Sequence, residues 1–198
     1  MKATITSLIF LLLSLTVSSQ TYKYIGIEEG LSNQKIYKIQ KDARGYMWFL
    51  THVGIDQYNG KEIKHYKLRE GNRELDPLLN INWTFLDKTG TLLVTGKQGR
   101  IFRYDSGHDR FVQIYNMYNY WNKDYHAFVR YSYIDQEDNV WLCGKSAIHL
   151  FNIESGQKQQ ISNRLGNITC IEQINSEHFF IGTDKRIYLA KLENGNLK

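Results

Sequence analysis

Asn33-Gln-Lys-Ile-Tyr-Lys-Ile-Gln-Lys-Asp42, then Ala-Arg-Gly45, then Tyr-Met-Trp48-Phe-Leu-Thr51 and Gly54-Ile-Asp-Gln-Tyr58, is the clearest copy of a unit that recurs four times in this 198-residue chain. Lys35 to Gln40 alternates in part, with Ile36 and Ile39, and reads as a first strand. Asp42 to Gly45 is a turn, because Asp can bond the backbone two residues on and Gly accepts positive φ. Met47 to Thr51 reads as a second strand and Gly54 to Tyr58 as a third. Asn59-Gly60 is a hairpin turn, and Glu62 to Tyr66 is the fourth strand. Aligned on a central bulky residue, the copies carry Trp48, Leu93, Trp141 and Phe180, at intervals of 45, 48 and 39 residues. A period of this size with four short strands per unit indicates a β-propeller of four-stranded blades.

The second copy keeps Asp87-Lys-Thr-Gly90, Leu92-Leu93-Val94, Gly99 and Ile101 to Tyr104, but its third strand is offset by one residue, so a bulge or altered turn is expected there. In the third copy Asp138 or Asn139 stands where the turn glycine was, and both types tolerate left-handed backbone. The fourth copy is the most eroded. The expected fold is all-β: a partial propeller of about four four-stranded antiparallel blades at 30–67, 79–114, 128–161 and 166–198. Trp48, Leu93, Trp141 and Phe180 are read as packing anchors between blades, and an aromatic in that place buries roughly 150–250 Å². Gly45, Gly54, Gly90 and Gly99 are read as structural positions of the same repeat.

Residues 1–19 are read as a secretory signal peptide: Lys2, an apolar run over Leu8 to Val17, then Ser18-Ser19. The mature chain is therefore expected outside the cytoplasm, and no apolar run after residue 20 is long enough to cross a bilayer. The net charge of +5 is scattered, which argues against nucleic acid as a partner of this region. Cys143 and Cys170 sit in apolar strand contexts and read as buried thiols, with a disulfide between neighbouring blades as the alternative. Neither cysteine has a second ligand at zinc spacing, and the six histidines show no metal-ligand pattern, so no metal or cofactor is expected. Asp42, Asp87 and Asp135 recur once per blade at turns, as structural residues do. They stand six residues before the anchor, whereas the sialidase-type Asp turn places its Asp five before a Trp. No catalytic residue is assigned.

Gly30-Leu31-Ser32-Asn33, followed by Ile36, Ile39, Asp42, Gly45, Trp48, Thr51, Gly54-Ile55 and Tyr58-Asn59-Gly60, resembles the two-component regulator propeller repeat. That repeat opens the periplasmic sensor of hybrid two-component systems and related sensor histidine kinases. The resemblance implies one or two propellers, a Tyr-rich immunoglobulin-like module, a membrane helix, and a cytoplasmic kinase or DNA-binding output. It further implies a larger ring, seven-bladed or double, with oligosaccharide ligands and signalling as a homodimer. On this reading the chain is the N-terminal part of a longer protein, attached to the membrane only through a downstream segment. Tyr22-Lys-Tyr24 would then be the outer strand of the final blade.

In propellers the inter-blade connections and the loops joining second to third strands share one face, where ligands commonly enter. Here that face would carry Ser32-Asn33, His52, Lys97, Lys145 and Asp184-Lys185, with two longer inserts. The charged insert Leu68 to Asn80 reads as a solvated loop. The insert between Ile114 and Val129 holds Tyr118, Tyr120, Trp121, Tyr125 and His126 among amides, a composition suited either to a sugar ring or to a satellite core or dimer interface. Trp121 is its foremost ligand candidate. The alternatives to a sensor are a secreted glycan- or protein-binding propeller and a propeller hydrolase or lyase.

Overall fold

The computed structural model describes residues 22–120, 128–193 and 196–198. The first blade is an antiparallel meander of β1 (Ile36–Lys41), β2 (Met47–Thr51), β3 (Ile55–Tyr58) and β4 (Ile63–Tyr66). A small hairpin, β5 (Arg69–Glu70) and β6 (Arg73–Glu74), and one helical turn, α1 (Pro77–Asn80), lead into the second blade. That blade is β7 (Trp83–Leu86), β8 (Leu92–Thr95), β9 (Arg100–Asp105) and β10 (Arg110–Asn116). The third comprises β11 (Tyr131–Ile134), β12 (Asn139–Cys143), β13 (Ala147–Asn152) and β14 (Lys158–Ser162). The fourth comprises β15 (Ile168–Gln173), β16 (His178–Thr183), β17 (Ile187–Glu193) and β18 (Asn196–Leu197).

Successive blades are joined at the turns between their first and second strands. Ala43 N–H donates to the Gly90 carbonyl at 3.1 Å, Lys88 N–H to Asp138 Oδ1 at 3.0 Å, and Gln136 N–H to Gln173 Oε1 at 2.6 Å. The turn needs left-handed backbone: Gly45 and Gly90 have φ of 89° and 73°, and Asp138 takes the place with φ of 60°. Asp tolerates that region because its short side chain can bond locally. In the second blade five residues, 96–100, separate the last paired residues of β8 and β9, against four, 51–54, in the first. The one-residue offset is therefore a longer turn, with Gly99 at φ 67°, and the bulge lies between β9 and β10 instead.

Side chains alternate across each strand, so every blade has one face toward its predecessor and one toward its successor. Trp48 and Leu50 face the second blade and pack with Leu92, Val94 and Phe102. Leu93 and Ile101 face the third and meet Val140, Leu142 and Phe151. Trp141 and Cys143 face the fourth and meet Phe179 and Ile181. Trp48 is ringed by Tyr66, Tyr104 and Phe111 at centroid distances of 5.4, 4.8 and 5.7 Å.

The recurrent aspartates hold these anchors. Asp42 Oδ2 accepts from Trp48 Nε1 at 2.9 Å, while Oδ1 accepts from the Arg44 and Tyr46 amides. Asp135 does the same for Trp141 at 2.9 Å and for the Glu137 and Asn139 amides. Leu93 has no donor to offer, and Asp87 pairs instead with Arg103 at 2.7 Å.

Three expectations change. Phe180 is not a buried anchor: it is 49% exposed, whereas Phe179 is 0% exposed and lies 4.8 Å from the Trp141 ring. Phe180 does hold the anchor register, opposite Glu172 and Leu189, but its face looks away from the third blade and no described blade covers it. The insert Leu68 to Asn80 is not merely solvated, because Leu68 and Leu75 are buried in the core between the first two blades. Asp76 caps α1 by accepting from the Leu78 amide, and Pro77 occupies the first turn, where it needs no donor. The cysteines are both free. Cys143 is the buried thiol expected, but Cys170 is exposed. The expected signal peptide lies outside the described residues. Among the described residues no helix is long and apolar enough to cross a membrane.

Candidate functional site on the loop face

The second-to-third-strand loops and the inter-blade connections lie together. His52 N–H donates to Lys35 O, Gln98 N–H to Leu79 O, Asn163 N–H to Ser146 O, and Asp184 N–H to Asn167 O, at 2.9–3.3 Å. Neighbouring blades are tied across the same face by Val129 N–H to Lys97 O at 2.8 Å and by Arg130 Nη1 to Asn167 Oδ1 at 2.7 Å.

The sequence candidates do not converge on this face. His52 is half-buried, with Nδ1 2.7 Å from the Tyr37 hydroxyl. Lys97 and Lys145 are exposed, each on its own blade, and their ammonium groups have no partner among the described residues. Tyr118 packs against the core between the second and third blades. Tyr120 stacks on Tyr115 at 5.6 Å, with Lys158 Nζ 4.2 Å from its centroid. Because Lys158 belongs to the outer strand β14, Tyr120 sits at the outer rim, its ring already in contact with protein groups. Trp121, Tyr125 and His126 lie outside the described residues.

A constellation that sequence reading did not single out lies at the first blade. A cavity of about 400 Å³ is bounded by Ser32, Val53, Asp56, His65, Lys67 and Glu74. Asp56, fully buried, accepts on Oδ2 from both the amide and the hydroxyl of Ser32 at 2.8 Å, and its Oδ1 is 2.8 Å from His65 Nδ1. Ser32 Oγ also lies 3.0 Å from Thr51 Oγ1. The carboxylate thus fixes the segment leading into β1 to the blade and leaves His65 Nε2 as that ring's remaining hydrogen-bonding atom. An activated nucleophile needs its hydroxyl against the base; here Ser32 and His65 each bind the carboxylate between them. The arrangement positions polar groups at a cavity wall and suits a ligand rich in hydroxyls. Its only sequence signal is a carboxylate in mid-strand, in Ile55-Asp56-Gln57, where solvent would not reach it.

The family model of the two-component regulator propeller matches residues 30–52, from the segment before β1 through β2. In fold, the chain is similar to the extracellular domain of the hybrid two-component system BT3049 from B. thetaiotaomicron, with TM-score 0.67 and 18% identity over 89% of this chain. It is similarly close to the extracellular domain of the hybrid two-component system BT4673 from the same organism, with TM-score 0.66 and 16% identity over 89% of the chain. The chain spans 26% and 22% of those two domains. YCF48 bound to D1 peptide shares the fold at TM-score 0.53 and 15% identity, over 79% of this chain and 50% of that one. No curated protein matches the sequence. Residues 30–52 are thus a two-component regulator propeller repeat, set in a propeller whose fold is that of extracellular domains of hybrid two-component systems.

Proposed function

We propose that this chain is the ligand-sensing propeller of an extracytoplasmic two-component signalling protein, and that its ligand is an oligosaccharide. The observation that carries the reading is the matched repeat at 30–52, whose Ser32 and Thr51 belong to the polar network around Asp56. The imidazole and hydroxyls that the buried Asp56 carboxylate holds at one cavity wall supply the fixed polar partners that sugar hydroxyls use. Export by the 1–19 segment, dimerisation and a downstream output module complete the proposal. A further blade packed on the fourth is part of the proposal, and it is supported by Phe180, Ile187 and Leu189, which form an exposed apolar face at the register that each earlier blade covers with its successor.

Calorimetric titration with a panel of oligosaccharides tests the reading. Asp56→Asn and His65→Ala are expected to weaken binding at least tenfold with the fold retained, and Trp121→Ala to weaken it if the 114–129 insert also touches ligand. Unchanged affinity in both cavity variants would remove this site from the proposal.

A further inference from the structure

Between the outer strands of the first two blades runs a cleft of about 610 Å³, walled by β4 on one side, β10 on the other and the β5–β6 hairpin at its end. It adjoins the Ser32–Asp56–His65 cavity, with which it shares His65, Tyr66 and Lys67. Both carboxylates in its lining are already engaged. Asp109 is paired with Lys64 and accepts at 2.6 Å from each of the Tyr66 and Tyr104 hydroxyls. Glu70 lies between Arg73 at 2.7 Å and Arg100 at 3.4 Å. Lys67 is paired with Glu74. Arg69 and Arg110, by contrast, line the cleft with no side-chain hydrogen bond or ion pair among the described residues. Gln113 lines it too, and its buried Oε1 has no hydrogen-bond partner among those residues.

Two uncommitted guanidiniums facing one cleft, with the local negative charge consumed elsewhere, form an acceptor-hungry surface. Guanidinium forks bind planar or tetrahedral oxyanions bidentately, which a lysine cannot do. The adjoining cavity has a different lining, with Asp56 and Glu74 in its wall and no arginine. We propose that the cleft is an oxyanion subsite in which Arg69 and Arg110 bind the carboxylate or sulfate of an acidic saccharide, the unpartnered Gln113 Oε1 accepts from one of its hydroxyls, and further neutral hydroxyls reach the Asp56 cavity. The graded charge favours a saccharide over an acidic peptide, because repeated carboxylates would have to pass Asp56 and Glu74. The inference rests on the reading of this propeller as a saccharide binder and adds to it the charge of the ligand.

The test is calorimetric titration of the full chain with a xylotriose bearing a single uronic acid, sulfated neocarratetraose, neutral neoagarotetraose and tetraglutamate. At least one acidic saccharide should bind ten or more times tighter than the neutral one, with affinity falling as salt rises. Arg69→Gln and Arg110→Gln should each reduce that affinity about tenfold. Arg→Lys at the same positions should restore only part of it, and Arg164→Gln, at an exposed arginine between the third and fourth blades, should change nothing. The carboxylate and sulfate arms identify the anion. Equal binding of neutral and acidic saccharides, unaffected by the arginine variants, overturns the subsite and leaves saccharide sensing intact. Preference for tetraglutamate, or no binding of any saccharide, overturns the inference, the latter together with the functional reading beneath it.

Discussion

Replacing Asp42 by alanine takes one carboxylate away from three N–H donors, and the structure distinguishes what each loses. The Trp48 ring is 2% exposed, so its Nε1 cannot turn to water. A buried donor left without an acceptor costs ~1–3 kcal/mol. The Arg44 and Tyr46 amides belong to a turn whose tip, Ala43 to Gly45, is exposed, so water can replace part of their bonding at ~0.5–1 kcal/mol each. Asp42→Ala should therefore destabilise by about 2–5 kcal/mol. Trp48→Phe removes the donor and some ring volume, for roughly 2–3 kcal/mol. If the indole–carboxylate bond is what links the two, the double variant should fall short of additivity by ~1–2 kcal/mol. Urea unfolding followed by far-UV circular dichroism, with equal slopes for all four proteins, measures the cycle. A coupling within ~0.3 kcal/mol of zero would show that the aspartate acts on the turn alone and that the recurrence six residues before the anchor is incidental to it.

The neighbouring phenylalanines should differ sharply: Phe179→Ala should cost ~3–5 kcal/mol and Phe180→Ala less than ~0.5 kcal/mol in this chain, with Phe180→Ala becoming costly in a protein extended by the next repeat. His149, buried on the face of the third blade toward the second, has its pKa lowered to about 4 by burial. An unfolded chain takes that proton near pH 6.5, so stability should fall between about pH 6.5 and 4, and His149→Leu should flatten that part of a melting-temperature profile. Asp109 is held down to about 2 by Lys64, then by the Tyr104 and Tyr66 hydroxyls. Its contribution is present above its unfolded value of about 3.9 and is lost as pH falls toward 2, so Asp109→Asn should blunt acid unfolding in that window.

The period, the four strands of the first blade and the left-handed turn were legible because each has a local cause. Alternation sets the strands, Asn59-Gly60 and Asp42-to-Gly45 set the turns, and Asp138 substitutes for glycine by the same backbone logic. The candidate site was less legible because its parts are distant in sequence. Ser32, Asp56 and His65 meet only after three strands pair, and Arg69 and Arg110 meet only after two blades pack. The 68–80 insert misled for a related reason: its charges dominate the composition, while two buried leucines, Leu68 and Leu75, decide where it goes.

Phe180 shows why anchors cannot be read one blade at a time. A side chain in this register points out of its own blade toward the next, so its burial is a property of the blade that follows. Trp48, Leu93 and Trp141 are buried because the second, third and fourth blades supply Val94, Leu142 and Phe179 opposite them. The residue one place earlier faces backward, which is why Phe179 rather than Phe180 fills the space beside Trp141. The same alternation explains the aspartates. Spaced six residues before a forward-facing indole, the turn carboxylate reaches around the end of β2 or β12 to the ring nitrogen. Where the anchor is Leu93, the carboxylate turns to Arg103, directly across from it on β9. One spacing thus serves two chemistries, and what persists through the first three blades is a buried carboxylate placed beside the interblade seam.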